Sequence, residues 1–226
     1  MVIFAGCREE PSERCWICKK KIYGSAQLRS IPVSPELEKE FIEAFLYSCF
    51  DNYIAKGEPL VIEQMGSIEE ITWSHTNFGV YANMMIHRVG HYKVYKVDRA
   101  GRDDVPLAQA VEDFCAKNRF PVDISTICSN SINPIIMSNS EFTNLFERSP
   151  GDGWMRFYQK YPKSPGIITL SRPGFSADGS TAVILLGHQW EGLAGYGQLY
   201  IYRKINNKWE EDSLYISIFG DQSWVS

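Results

Sequence analysis

His188, Trp190 and Glu191 are residue types whose spacing suits small-molecule chemistry. A histidine can act as a general base, a neighbouring carboxylate can orient it, and an indole offers a stacking wall. They precede Gly192-Leu193-Ala194-Gly195-Tyr196-Gly197, a glycine-rich run after an apolar strand. A phosphate cradle needs a helix N-terminus beyond the glycines, whereas Gln198-Leu199-Tyr200-Ile201-Tyr202 is a strand pattern. The run is therefore read as a hairpin loop. In that loop His188 and Glu191 are the catalytic candidates, and Trp190 and Tyr196 the ligand-binding candidates. The plainer reading of the same residues is an exposed loop around a packed tryptophan.

His87 and His91 have the i, i+4 spacing that would chelate a metal on a helix. Gly90 and Tyr92-Lys93-Val94-Tyr95 favour strand instead, where four residues separate the two rings by about 13 Å. One ion cannot span that gap. No G-x-S-x-G elbow, Walker loop or kinase set occurs, and Ser171 lies in no nucleophile motif. No pattern calls for a cofactor.

The six cysteines bear on compartment. Met1-Val2-Ile3-Phe4-Ala5-Gly6-Cys7 resembles the end of a bacterial lipoprotein signal peptide, in which a small residue precedes a cysteine that becomes lipidated. Phe4 stands where that pattern has Leu, and six residues with no basic start are shorter than a working signal. The lipoprotein reading therefore places the start of translation upstream of Met1. Cys15-Trp16-Ile17-Cys18 is the one C-x-x-C, open to a disulfide, a redox pair or half of a zinc site with Cys7 as third ligand. Cys115 and Cys128 are close enough in sequence to bridge in an oxidising compartment, and Cys49 falls on an apolar helix face. Lys19-Lys20-Lys21 is a short solvated charge run that, beside a lipid anchor, would meet anionic headgroups.

The elements that must position these groups follow from periodicity. Ser34-Pro35 opens a helix that Gly57 closes, with Leu37, Phe41, Phe45, Cys49 and Tyr53 in one row and Ile42, Leu46, Phe50 and Ile54 beside it. Four β-type runs follow, 60–65, 69–74, 78–84 and 85–97. Asp104 caps a second helix with Leu107, Val111, Phe114 and Cys115 on one face. Ser138 and Glu141 suggest a capping box, and Asp152 caps a helix carrying Trp154, Phe157, Tyr158 and Tyr161 up to Pro162. Four strands complete the chain, 166–171, 181–187, 198–204 and 208–218, with turns at 176–180 and at Asn206-Asn207. The fold class expected is α+β: an antiparallel, meander-type sheet packed by the long N-terminal helix, of cystatin/NTF2-like shape. Residues 1–30 form a tail and 31–226 one domain.

The helix Trp154-Met155-Arg156-Phe157-Tyr158-Gln159-Lys160-Tyr161-Pro162 leads into Ser171-Arg172-Pro173-Gly174-Phe175. After these come Asp178, an apolar strand at 182–186, Gly195-Tyr196-Gly197, Lys208-Trp209 and Trp224-Val225-Ser226. This order is similar to a group of uncharacterised bacterial secreted proteins and lipoproteins, over about residues 135–226. The resemblance implies compartment and fold and carries no assigned reaction. Ser176 stands where the group has Asn.

With 226 residues, 44% hydrophobic and 13% aromatic, the chain can build a sizeable core, and it has no stretch of about 20 apolar residues that would span a bilayer. Its 23 Lys and Arg against 27 Asp and Glu give a net charge of -4, contrary to the basic face of a nucleic-acid binder. Taken together, the sequence predicts an extracytoplasmic, non-enzymatic binding protein of the cell envelope. Its partner would be a protein or small ligand, and any membrane association would run through lipid on Cys7. Two alternatives stay open: a hydrolase using His188 and Glu191, and a cytosolic zinc protein using Cys7, Cys15 and Cys18.

Overall fold

The computed structural model describes residues 30–64, 104–118, 123–128, 131–132, 134–146, 152–191 and 194–212. Cys7, Cys15, Cys18, His87, His91, the predicted strands 69–74, 78–84 and 85–97, and the final Trp224-Val225-Ser226 lie outside them.

Helix α1, Pro35–Ala55, starts as its sequence requires: the Ser34 hydroxyl accepts the amide of Leu37 and proline occupies the first turn. It stops at Gly57, whose φ of 67° lets the amides of Gly57 and Glu58 turn back onto the carbonyls of Ile54 and Tyr53. Helix α2, Val105–Lys117, is capped by Asp104, which accepts the Leu107 amide at 3.1 Å. Helix α3, Asn139–Phe146, is capped by Ser138. The Glu141 side chain does not reach back to complete a box; it pairs with Lys160 and Tyr161 on the next helix. That helix, α4, spans Gly153–Lys160, and Asp152 makes no side-chain cap bond to it. Its aromatic stripe, packed against Phe142 and Phe146, is sufficient to hold so short a helix in place.

The strands are β1 Val61–Glu63, β2 Ile135–Met137, β3 Ile167–Leu170, β4 Gly174–Phe175, β5 Thr181–Glu191, β6 Ala194–Ile205 and β7 Lys208–Glu211. Among the described residues they form one sheet in the order β2-β1-β3-β5-β6-β7, with β4 beside β5. The fold is α+β, but the sheet is mixed rather than an antiparallel meander. β1 lies parallel to both β2 and β3, whereas the arm β3-β5-β6-β7 and the pairing of β4 with β5 are antiparallel. Parallel neighbours need long crossovers, and helices α3 and α4 provide one between β2 and β3. Asn206 and Asn207, with φ of 49° and 62°, make the tight turn between β6 and β7.

Both faces of the sheet are covered. Phe41, Ile42, Phe45, Leu46 and Phe50 of α1 pack on Ile62, Ile168, Ile184, Leu186, Tyr200 and Tyr202. The alternate residues Val61 and Ile167 face the other way and meet Phe142, Phe157 and Tyr161 of the α3–α4 side.

The Ser171-to-Phe175 motif locks α2 to the sheet. The Ser171 hydroxyl accepts the amide of Leu185, and Arg172 binds Glu38 through two bonds of 2.7 and 3.0 Å. Asn118 both accepts the Arg172 amide and donates to its carbonyl. Asp113, fully buried, accepts the amides of Ile31 and Phe175 and pairs with Lys117 at 2.7 Å. Gly174 is required here: a Cβ would lie 2.2 Å from the Phe114 nitrogen. The four charges cancel inside the structure, so the motif serves architecture.

Candidate functional site

The candidate residues occupy the far end of the β5–β6 hairpin. The described residues of the loop expected from 188 to 197 are strand instead: β5 runs to Glu191 and β6 begins at Ala194. Cross-strand pairing of His188 with Tyr196 and of Gly187 with Gly197 overrides the low strand preference of glycine. The register shifts between Gln189 and Glu191, a bulge at Trp190 that re-aims its side chain. The Tyr158 hydroxyl of α4 holds the bulge by donating to the Trp190 carbonyl at 2.6 Å. Gly166 also fixes it, since a Cβ there would meet the Gln189 carbonyl at 2.1 Å.

The bulge gathers an aromatic cluster. His188 lies 5.0 Å from Trp190 and 5.6 Å from Tyr196, ring centre to ring centre, and Trp190 lies 6.2 Å from Tyr196. On the other side of His188 is Phe50, at 5.2 Å and nearly perpendicular. Phe50 is also where α1 leaves helical geometry, with φ of −134°. Trp190 keeps 37% of its surface exposed.

The imidazole is tuned to be neutral. Burial lowers the His188 pKa below 6.5, and the bond between Nε2 and the Pro165 carbonyl, 3.0 Å, opposes that only in part. A carbonyl only accepts, so Nε2 carries the proton. The ring is thus oriented by a backbone carbonyl, not by Glu191, an exposed residue near the hairpin tip. Tyr158 is raised by burial first and then by the Glu191 charge. The structure brings His188, Trp190 and Tyr196 together, and among the described residues the histidine has no acid partner.

The two cysteines whose side chains are described are poor nucleophiles. Cys49 and Cys128 are free thiols, each pushed by burial up to about 11. The bridge from Cys115 to Cys128 that the spacing allowed is not formed: Cys128 is a free thiol, buried in the core under α1. Among the described residues no group of three His, Cys, Asp or Glu is arranged to hold a metal ion, and no helix is long and apolar enough to cross a membrane.

Sequence reasoning missed Glu63. It ends β1 on the α3–α4 side, where burial raises its carboxyl to about 7 against a hydrogen bond from Thr169 at 3.3 Å. The signal was present: an acid closing the apolar run Leu60-Val61-Ile62. No family model matches this chain, nor does any curated protein or solved structure.

Proposed function

We propose that this chain is an extracytoplasmic, non-enzymatic binding protein of the bacterial cell envelope, anchored by lipid on Cys7. It takes a protein or small ligand on the aromatic end of the β5–β6 hairpin. The observation that carries the binding reading is Trp190, a large aromatic ring left partly exposed by a bulge that two further elements hold in place. Rigid aromatic anchors of this kind dominate recognition surfaces because little conformational entropy is lost on binding. The compartment rests on the likeness of residues 1–7 to a lipoprotein signal and of residues 135–226 to a secreted group. The cystatin/NTF2-like reading is proposed for the antiparallel arm under α1 alone, since β1 is parallel to both of its neighbours. A hydrolase at His188 would need an acid or nucleophile on the ring, whereas its contacts among the described residues are one carbonyl and three aromatic rings.

The test is retention of bacterial envelope components by the immobilised protein. Trp190→Ala is expected to lose whatever the parent retains while melting within a few degrees of it. Retention unchanged in Trp190→Ala overturns the reading. A hydrolytic activity lost in His188→Gln but kept in Trp190→Ala would favour the enzyme.

A further inference from the structure

On the face of the sheet opposite α1, one register row runs Met137, Glu63, Thr169, Gly187, Gly197. It crosses the carboxyl ends of the three parallel strands, where β2 and β3 flank β1 and the chain passes from one side of it to the other. Crevices outside such strand ends are the general position for ligands in parallel sheets. Glu63 is the central group, and the Thr169 hydroxyl donates to its Oε2. The next two positions in the row have no side chain. Glycine within a strand marks a place where a ligand or another backbone comes close.

Among the described residues Glu63 has no counter-ion. The ion pairs among the described residues engage Lys117, Lys160, Arg172, Arg203 and Lys204, each with another acid. The ionisable groups described on α3 and α4 over this face have partners other than Glu63. Arg156 donates to the Leu145 carbonyl, Lys160 and Tyr161 bind Glu141, and Tyr158 binds the Trp190 carbonyl. A desolvated carboxyl with only a neutral hydroxyl beside it holds a proton or takes a cation from outside. Glu63 retains partial exposure, so a small ligand can reach it.

We propose that Glu63 and Thr169, beside Gly187 and Gly197, form a binding site for a small organic cation, an alkylammonium group. The ammonium N–H groups donate to the Glu63 carboxylate, and the proton that the carboxyl held passes to solvent. The alkyl part lies over the two glycines. This site is separate from the aromatic cluster, which is on the α1 face.

The probe is n-butylammonium chloride at pH 7, with 1-butanol and sodium chloride as controls. In protein carrying 13C-labelled glutamate, the amine is expected to lower the Glu63 titration midpoint by about 1 pH unit at saturation, a tenfold preference for the ionised form. It is also expected to raise the melting temperature; neither control does either. Glu63→Gln abolishes both effects, and the near-isosteric Thr169→Val weakens binding several-fold. Trp190→Ala binds the amine as the parent does, which separates this site from the hairpin surface. A midpoint unchanged by the amine, an equal effect from 1-butanol, or undiminished binding in Thr169→Val would overturn the proposal.

Discussion

Between pH 4.5 and 7 the folded chain keeps a proton on Glu63 that the unfolded chain has already lost, because burial raises the carboxyl from its ordinary 4.5 to about 7. Stability must therefore fall as pH rises through that window, and the full penalty is present above pH 7. At about 1.4 kcal/mol per unit the penalty is roughly 3 kcal/mol. Glu63→Gln is expected to remove most of it, so denaturant unfolding at pH 8 should show a more stable variant and at pH 4 a nearly equal one. A variant less stable at pH 8 would mean that the carboxylate has a cationic partner. His188 works in the opposite sense. Its lowered pKa means that the unfolded chain takes up a proton first as pH falls below 6.5, so the stability it confers is lost on the acid side.

Helix α2 depends on two points of attachment rather than on its own propensity. Asp113 accepts two backbone amides and neutralises Lys117, whose side chain is 4% exposed. Asp113→Ala strands that ammonium and both amides, with an expected loss on the order of 3–5 kcal/mol. Gly174→Ala pushes a methyl group against the Phe114 nitrogen and the Ala110 carbonyl, and a helix backbone cannot yield by 1 Å without leaving the sheet. It is expected to cost about as much as Asp113→Ala. Gly57→Ala meets nothing within 4 Å and should cost only about 1 kcal/mol for its positive φ. Thermal melts of the three variants give the order directly. An Asp113→Ala protein as stable as the parent would show that α2 is held by apolar packing alone.

The two cores share one sheet, so the molecule should unfold as a unit. Phe45 is fully buried on the α1 face and Phe157 on the α3–α4 face. Replacing either by Ala is expected to remove about 3–5 kcal/mol. Each variant should still show a single transition by circular dichroism and by tryptophan fluorescence alike. Separate transitions in Phe157→Ala would show that the parallel and antiparallel arms fold independently.

Local chemistry was legible in the chain itself. Ser34, Asp104 and Ser138 mark helix starts because a side-chain oxygen satisfies a free amide within three residues. The apolar rows of α1 and α4 are visible as periodicity, and Asn206-Asn207 as a turn. The catalytic pairing of His188 with Glu191 was a product of adjacency, and the fold ties the histidine to Pro165, 23 positions away. Strand partners were equally hidden, since β1, β2 and β4 are too short to carry a pattern and their neighbours are set by helices packed far along the chain. By itself the sequence determined the helices, the turns and the apolar faces, because those depend on neighbours within a few residues. Only the tertiary structure decided that the sheet is mixed, that Arg172 is bound to Glu38 and that Glu63 is desolvated beside two glycines. Register and burial are properties of contacts between distant segments.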